Sequence, residues 1–239
     1  MSPQNEIIQQ ILSIKEHAHP SHFEGYLNNS LEIDLSNIVR TGREHSLLNQ
    51  SFIEFLQLDM PSSSQPLCED FDSAGQWPPT LMALLPSNIL IPTLELWSAC
   101  VYSTFLNKYI AQQDIQYLKS FFSQHYSWLI CSALTEPNHP KNILDSTISA
   151  LGSSIEQSVV SAKHFCTEQI PFMAFTGADM LSKSWPSTLR KLFLLKLIRP
   201  KEVSPPPLPL RVKHSQLETS IALCLKRISP QWYGKFFNN

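Results

Sequence analysis

"IPTLELWSACVYSTF", residues 91–105, carries a single charge, and its large apolar residues recur at helical spacing. Leu94, Trp97, Val101 and Phe105 stand three or four positions apart, which places them on one side of an α-helix. Pro92 is expected to open this helix rather than lie within it, because its ring removes a backbone donor and clashes with the preceding turn. This is the most regular part of the chain, and reading outward from it yields further helices.

Downstream, Asp114 is expected to cap a helix whose stripe is Ile115, Leu118, Phe122 and Leu129. Pro137 and Pro140 bracket a turn. Leu144, Ile148, Leu151, Ile155, Val159 and Ala162 then form a continuous stripe, which predicts one long helix that tolerates Gly152. "EQIPFMAFTGADML", residues 168–181, reads as less regular. Near the end, Ser215 and Glu218 have capping-box spacing. Leu217, Ile221, Cys224, Leu225 and Ile228 supply a buried face, Lys226 and Arg227 suit the dipole of the last turn, and Pro230 stops the helix. Upstream, Ser2 and Pro3 start a helix bearing Ile7, Ile11 and Ile14, and Pro20 closes it. A second helical stretch is expected over 21–40, ended by Gly42, and a third is marked by Leu48, Phe52 and Phe55.

The expected fold is therefore all-α, with irregular loops and room for one short β-hairpin near residues 190–212. Six glycines in 239 residues argue against a turn-rich β fold. The expected organisation is N-terminal helices over 1–59, an irregular loop over 60–79, a central helical core over 80–200, a proline-rich linker over 201–214, and a C-terminal helix and tail over 215–239. These parts are expected to gather in one compact domain, since a chain of this length can bury a real core.

Charge is unevenly spread. Residues 183–239 hold eleven cations against two acids, a net +9, whereas residues 1–182 hold seven cations against eighteen acids, a net −11. Two surfaces of opposite sign follow, which either attract each other within the molecule or face different partners. The stretch 73–94 is uncharged, but Pro78, Pro79, Pro86 and Pro92 break it, so no bilayer-spanning helix is expected. "MSPQNEIIQQ" has neither a cationic n-region nor a long apolar run, so no secretion signal is expected. The cysteines, Cys68, Cys100, Cys131, Cys166 and Cys224, are odd in number and too far apart for a zinc or redox motif. They point to the cytosol.

"STLRKLFLLKLIRPK", residues 187–201, mixes Arg190, Lys191, Lys196 and Arg199 with leucines in neither a helical nor a strand period. A membrane-surface helix needs a clean polar face opposite an apolar one, and this strip has none. Nucleic-acid binding is not expected either, because the overall balance is not basic and no reading motif is present. Docking on an acidic protein is the favoured reading. "PPPLPL", residues 205–210, reads as a stiff spacer ahead of ligand for a proline-reading domain. Trp232, Phe236 and Phe237 are candidates to anchor the tail on a partner, with packing on the chain's own core as the alternative.

No phosphate-cradling glycine loop, GxSxG elbow or HExxH occurs. His17, His19 and His22 end a helix and read as solvated, and His164 and Cys166 do not share a helix face. No catalytic residue, cofactor or metal is expected. The rival is a helical enzyme with a site assembled from dispersed residues around His125 and His164.

The order and spacing of four segments resemble the SctK/YscK family, the adaptors of the type III secretion sorting platform. The first segment is "LNQSFIEFLQLD" followed by an irregular loop. The second is "LMALLPSNILIPTLELWSACVYSTFLNKYIAQQDIQYLKSFFSQHYSWLI", a helix pair after a proline-bearing turn. The third is "SSIEQSVVSAKHF" leading to a tryptophan and the Arg/Lys/Leu strip, and the fourth is "HSQLETSIALCLKRISPQWYGKFF". The resemblance covers most of the chain from about residue 40 onward. It implies a mostly helical, non-enzymatic cytosolic adaptor without cofactor, peripheral at the cytoplasmic face of the secretion apparatus. It also implies two partners: the forkhead-associated-like cytoplasmic domain of the inner-membrane ring protein, and the C-ring-like pod protein. A secretion chaperone or effector is the other secretion-linked reading.

Overall fold

The structure, a computed structural model, describes residues 82–83, 85–107, 109, 111–132, 136–137, 139–148, 161–185, 190, 193–197 and 212–237. The expected N-terminal helices and the 60–79 loop lie outside the described residues. Among those described, every regular element is helical, and the fold is all-α. The residues described near the expected hairpin do not form one: Phe193–Leu195 make a helical turn, and the rest of 198–211 lies outside the described residues.

The chain divides into two compact units, one formed by residues 1–87 and 182–199, the other by 88–181 and 200–239. The second carries most of the described elements. Helix α1 is Ser87–Val101 and α2 is Ser103–Leu106. Helix α3 is Gln112–Phe122, α4 is Pro140–Ile148, and α5 is the short turn Ala162–His164. Helix α6 is Ile170–Leu181, α7 is His214–Ile228, and α8 is Pro230–Phe237. Helix α7 packs on α4, α6 and α8, and α5 packs on α3.

Trp97 sits at the centre, fully buried. Its indole Nε1–H donates to Ser220 Oγ of α7 at 2.9 Å, and that hydroxyl donates in turn to Leu217 O at 2.8 Å. The six-membered ring of the indole lies close against Gly177 of α6, where a Cβ would stand 2.3 Å from Cζ3. Cys100 and Cys224 are buried side by side, and burial together with the neighbouring thiol holds Cys100 well above the usual thiol range.

Several local expectations are corrected. Pro92 lies inside α1, not at its start. It is only the sixth residue, so one backbone bond is lost next to a first turn whose donors are unpaired anyway. The burial of Leu90, Leu94, Trp97 and Val101 outweighs that loss. Asp114 caps a different element: its Oδ1 accepts from Ala162 N–H at 3.0 Å, which ties α5 to α3. The long helix through Gly152 does not reach Ala162, because Ser161 is extended (φ −156°, ψ 156°) and caps α5 by accepting from His164 N–H at 3.2 Å. Residues 149–160 lie outside the described residues. The stripe beyond Phe122 also breaks, since Ser123 turns the chain with a positive φ of 47°. A 3₁₀ turn Ser123–His125 and a π-turn Trp128–Ser132 follow. The expected capping box is replaced by a His214–Glu218 pair at 2.9 Å, one residue earlier. "EQIPFMAFTGADML" is largely the regular helix α6, preceded by a π-turn Phe165–Gln169.

Candidate functional site

The basic strip is described at Arg190 and Lys196, and Lys191 and Arg199 lie outside the described residues. Arg190 is half-buried. Lys196, expected on an exposed docking face, is instead 3 % exposed. Its ammonium donates to Ala83 O at 2.5 Å and to Leu85 O at 2.8 Å. Apolar Phe193, Leu195 and Leu197 are buried around it in sequence, and Trp185 packs on Phe193 with ring centroids 4.9 Å apart. Burial lowers the Lys196 pKa to about 7. This residue joins two parts of its own unit and presents no charge at the surface.

A different set of cations is exposed. Lys226 and Arg227, in the last turn of α7, reach over the rings of Tyr233 and Trp128 at 5.4 and 5.7 Å. Lys119 of α3 stands over Tyr126 at 5.9 Å. His125 lies near Arg227; burial, and then the Arg227 charge, lowers its pKa. Glu136 is exposed and accepts from Trp128 Nε1–H at 3.2 Å. Trp128 also packs on His139, with ring centroids 4.4 Å apart. Burial holds the His139 pKa down at about 4, so this ring is neutral at ordinary pH.

Helix α8 extends the same end of the unit. Its eight residues place Trp232 and Phe236 in one i,i+4 row, at 5.6 Å, and Tyr233 and Phe237 in a second, stacked at 4.5 Å. All four rings are half-buried. The sequence reading found Trp232, Phe236 and Phe237 and missed Lys119, Tyr126, Trp128 and Tyr233. The ring-rich run "FFSQHYSW" at 121–128 was the available signal.

Among the described residues, a polar row that could suggest chemistry runs along α1 and into the turn that follows it. Glu95, Ser98 and Tyr102 share a helix face, and burial raises the Glu95 pKa to about 7. Burial, and then the Glu95 charge, raises the Cys166 thiol to about 12, so the thiol is protonated and unreactive. His164 turns away to Glu168 at 3.3 Å. No group of three or more metal-ligating side chains occurs among the described residues. No described helix is long and apolar enough to cross a membrane.

The row has a measurable consequence. A Glu whose pKa is about 7 when folded and 4.5 when unfolded binds more protons in the native state, so stability falls as pH rises from about 4.5 through 7. Lys196, at about 7 against 10.5, binds fewer protons when folded, so its contribution rises with pH from about 7 upward. Glu95→Gln is therefore expected to flatten the acid-side slope in thermal melts between about pH 5 and 7, by at most about 3 kcal/mol before solvent screening. An unchanged slope in that variant would refute the assignment.

Comparison with protein-family models, with curated proteins and with solved structures finds no match for this chain.

Proposed function

We propose that the protein is a non-enzymatic adaptor that works by docking other proteins, and that it belongs to the sorting platform of a type III secretion system. The observation that supports docking is the exposed end of the helical unit, where Lys119, Lys226 and Arg227 lie over rings and α8 presents four half-buried aromatic side chains. Buried apolar anchors with a charged rim are the ordinary composition of a protein interface. The order of helical segments, which resembles the sorting-platform adaptors, supports the more specific reading. On that reading the partners are the cytoplasmic domain of the inner-membrane ring protein and the pod protein.

The test is a pull-down of each purified partner with the full chain. Retention of either one is expected, and retention of neither would end the sorting-platform reading. Within it, the Arg190→Glu, Lys191→Glu double variant is expected to weaken retention of one partner, with circular dichroism showing that the variant is folded. Equal retention would remove these two residues from the docking surface.

A further inference from the structure

We infer that the cation–aromatic end formed by α7, α8 and the 119–136 segment binds an acidic segment of a partner protein that also carries apolar side chains. The inference rests on the docking reading above and adds to it a side of the molecule and the chemistry of the occupant.

Charge comes first. Lys119, Lys226 and Arg227 are all exposed. Each stands over an aromatic ring, and no described acid pairs with any of them. Among the described residues of the 119–136 segment, the last turn of α7 and α8, the acid is Glu136, and it is engaged by the Trp128 indole. The described residues of this end therefore carry more positive than negative charge, although the chain as a whole is −2. An acidic occupant satisfies three cations without displacing an existing ion pair.

Apolar area comes second. The two ring rows of α8 remain partly open to solvent after packing on α7. Half-exposed aromatic side chains bracketed by cations reward a partner that brings leucine or aromatic groups with its carboxylates.

The same observations disfavour a nucleic acid or a lipid surface. One face each of Tyr126, Trp128 and Tyr233 already carries a cation, and Trp128 and Tyr233 also pack on the rings of His139 and Phe237, which leaves little open for base stacking. The rings of α8 are half-packed against the protein, which leaves no continuous apolar face to enter a bilayer.

The experiment titrates the full chain with two helical peptides, one with Glu and Leu on one face and one with Lys in place of Glu, by calorimetry at low and high salt. The Glu peptide is expected to bind, more weakly as salt rises, and the Lys peptide is not. Lys226→Glu with Arg227→Glu is expected to weaken the Glu peptide roughly tenfold or more, as is Tyr233→Ala with Phe236→Ala. Far-UV circular dichroism melts of each variant show whether it is folded. If the aromatic pair fails to fold, the charge pair carries the test. Equal binding of both peptides, or no effect of the charge pair, overturns the inference. So does salt-sensitive binding to phosphatidylserine vesicles without peptide binding, which assigns the face to lipid. Self-association abolished by the charge pair assigns it to a second copy and overturns the inference too. Ring or pod protein retained equally by wild type and the charge pair leaves the adaptor reading standing and ends this one. A selective Glu peptide with neither platform protein retained does the reverse.

Discussion

Gly177→Ala is expected to lower the melting temperature by roughly 5–10 °C, the equivalent of about 3 kcal/mol. The added methyl would lie 2.3, 2.7 and 2.9 Å from three atoms of the Trp97 indole. A long flexible side chain could swing its far end aside, but an indole moves as one rigid plate. This plate is further held by its hydrogen bond to Ser220 and is wholly buried. Relief therefore requires α1 and α6 to separate or the bond to Ser220 to break. Helix propensity works the other way, since alanine is better than glycine in a helix by about 1 kcal/mol. The clash outweighs it. Adding Trp97→Leu to Gly177→Ala is expected to cost less than the two single effects together, because the smaller side chain removes the collision. A Gly177→Ala variant that melts with the wild type would show that the helices do not meet as described.

Lys196→Glu is expected to be the most damaging charge reversal in the basic strip, and to act on stability. The native amine gives hydrogens to Ala83 O and Leu85 O in a buried site. A carboxylate offers two more acceptors to those acceptors, and burying it unpaired costs several kcal/mol. Lys196→Ala leaves both carbonyls without that donor, at about 1–3 kcal/mol each, partly offset by removing a desolvated amine. Lys196→Met keeps the volume and should be mildest. Hydrogen exchange over 82–85 and 193–197 measures the order Glu, Ala, Met. A Lys196→Glu chain as protected as wild type would return this residue to the surface. Lys226→Glu with Arg227→Glu is the opposite case, since both side chains are exposed and their loss should leave the fold intact.

The helical class and the core stripe of α1 were legible because large apolar residues repeat with the helix period. Helix α6 was under-read for a physical reason. Its buried positions are Ile170, Met173, Ala174, Gly177, Ala178 and Leu181, a full helical stripe built largely from small residues. Small residues carry little weight in a hydrophobic pattern, yet here they let the Trp97 ring approach. Asp114 illustrates a second limit: its capping chemistry was legible, but the recipient, Ala162, is brought to it only by tertiary packing. Lys196 illustrates a third. Charge alone reads as surface, and only its neighbours in "LFLLKLI" hinted at burial. The aromatic tail was legible as a candidate anchor. The approach of Arg227 to Trp128 was not, since about a hundred residues separate them in sequence.

The π-turn Phe165–Gln169 takes in one more residue per turn than the helical segments α5 and α6 on either side of it. The surplus residue shifts the phase of everything that follows by about a quarter of a turn. Such a loop of backbone is how a helix absorbs a one-residue insertion while both flanks keep their inward sides inward. A chain with ordinary helix at that place would align with this one only after a single-residue gap. Descent in this chain is therefore better traced through the pairing of Trp97 with Gly177 than through fixed distances along the sequence.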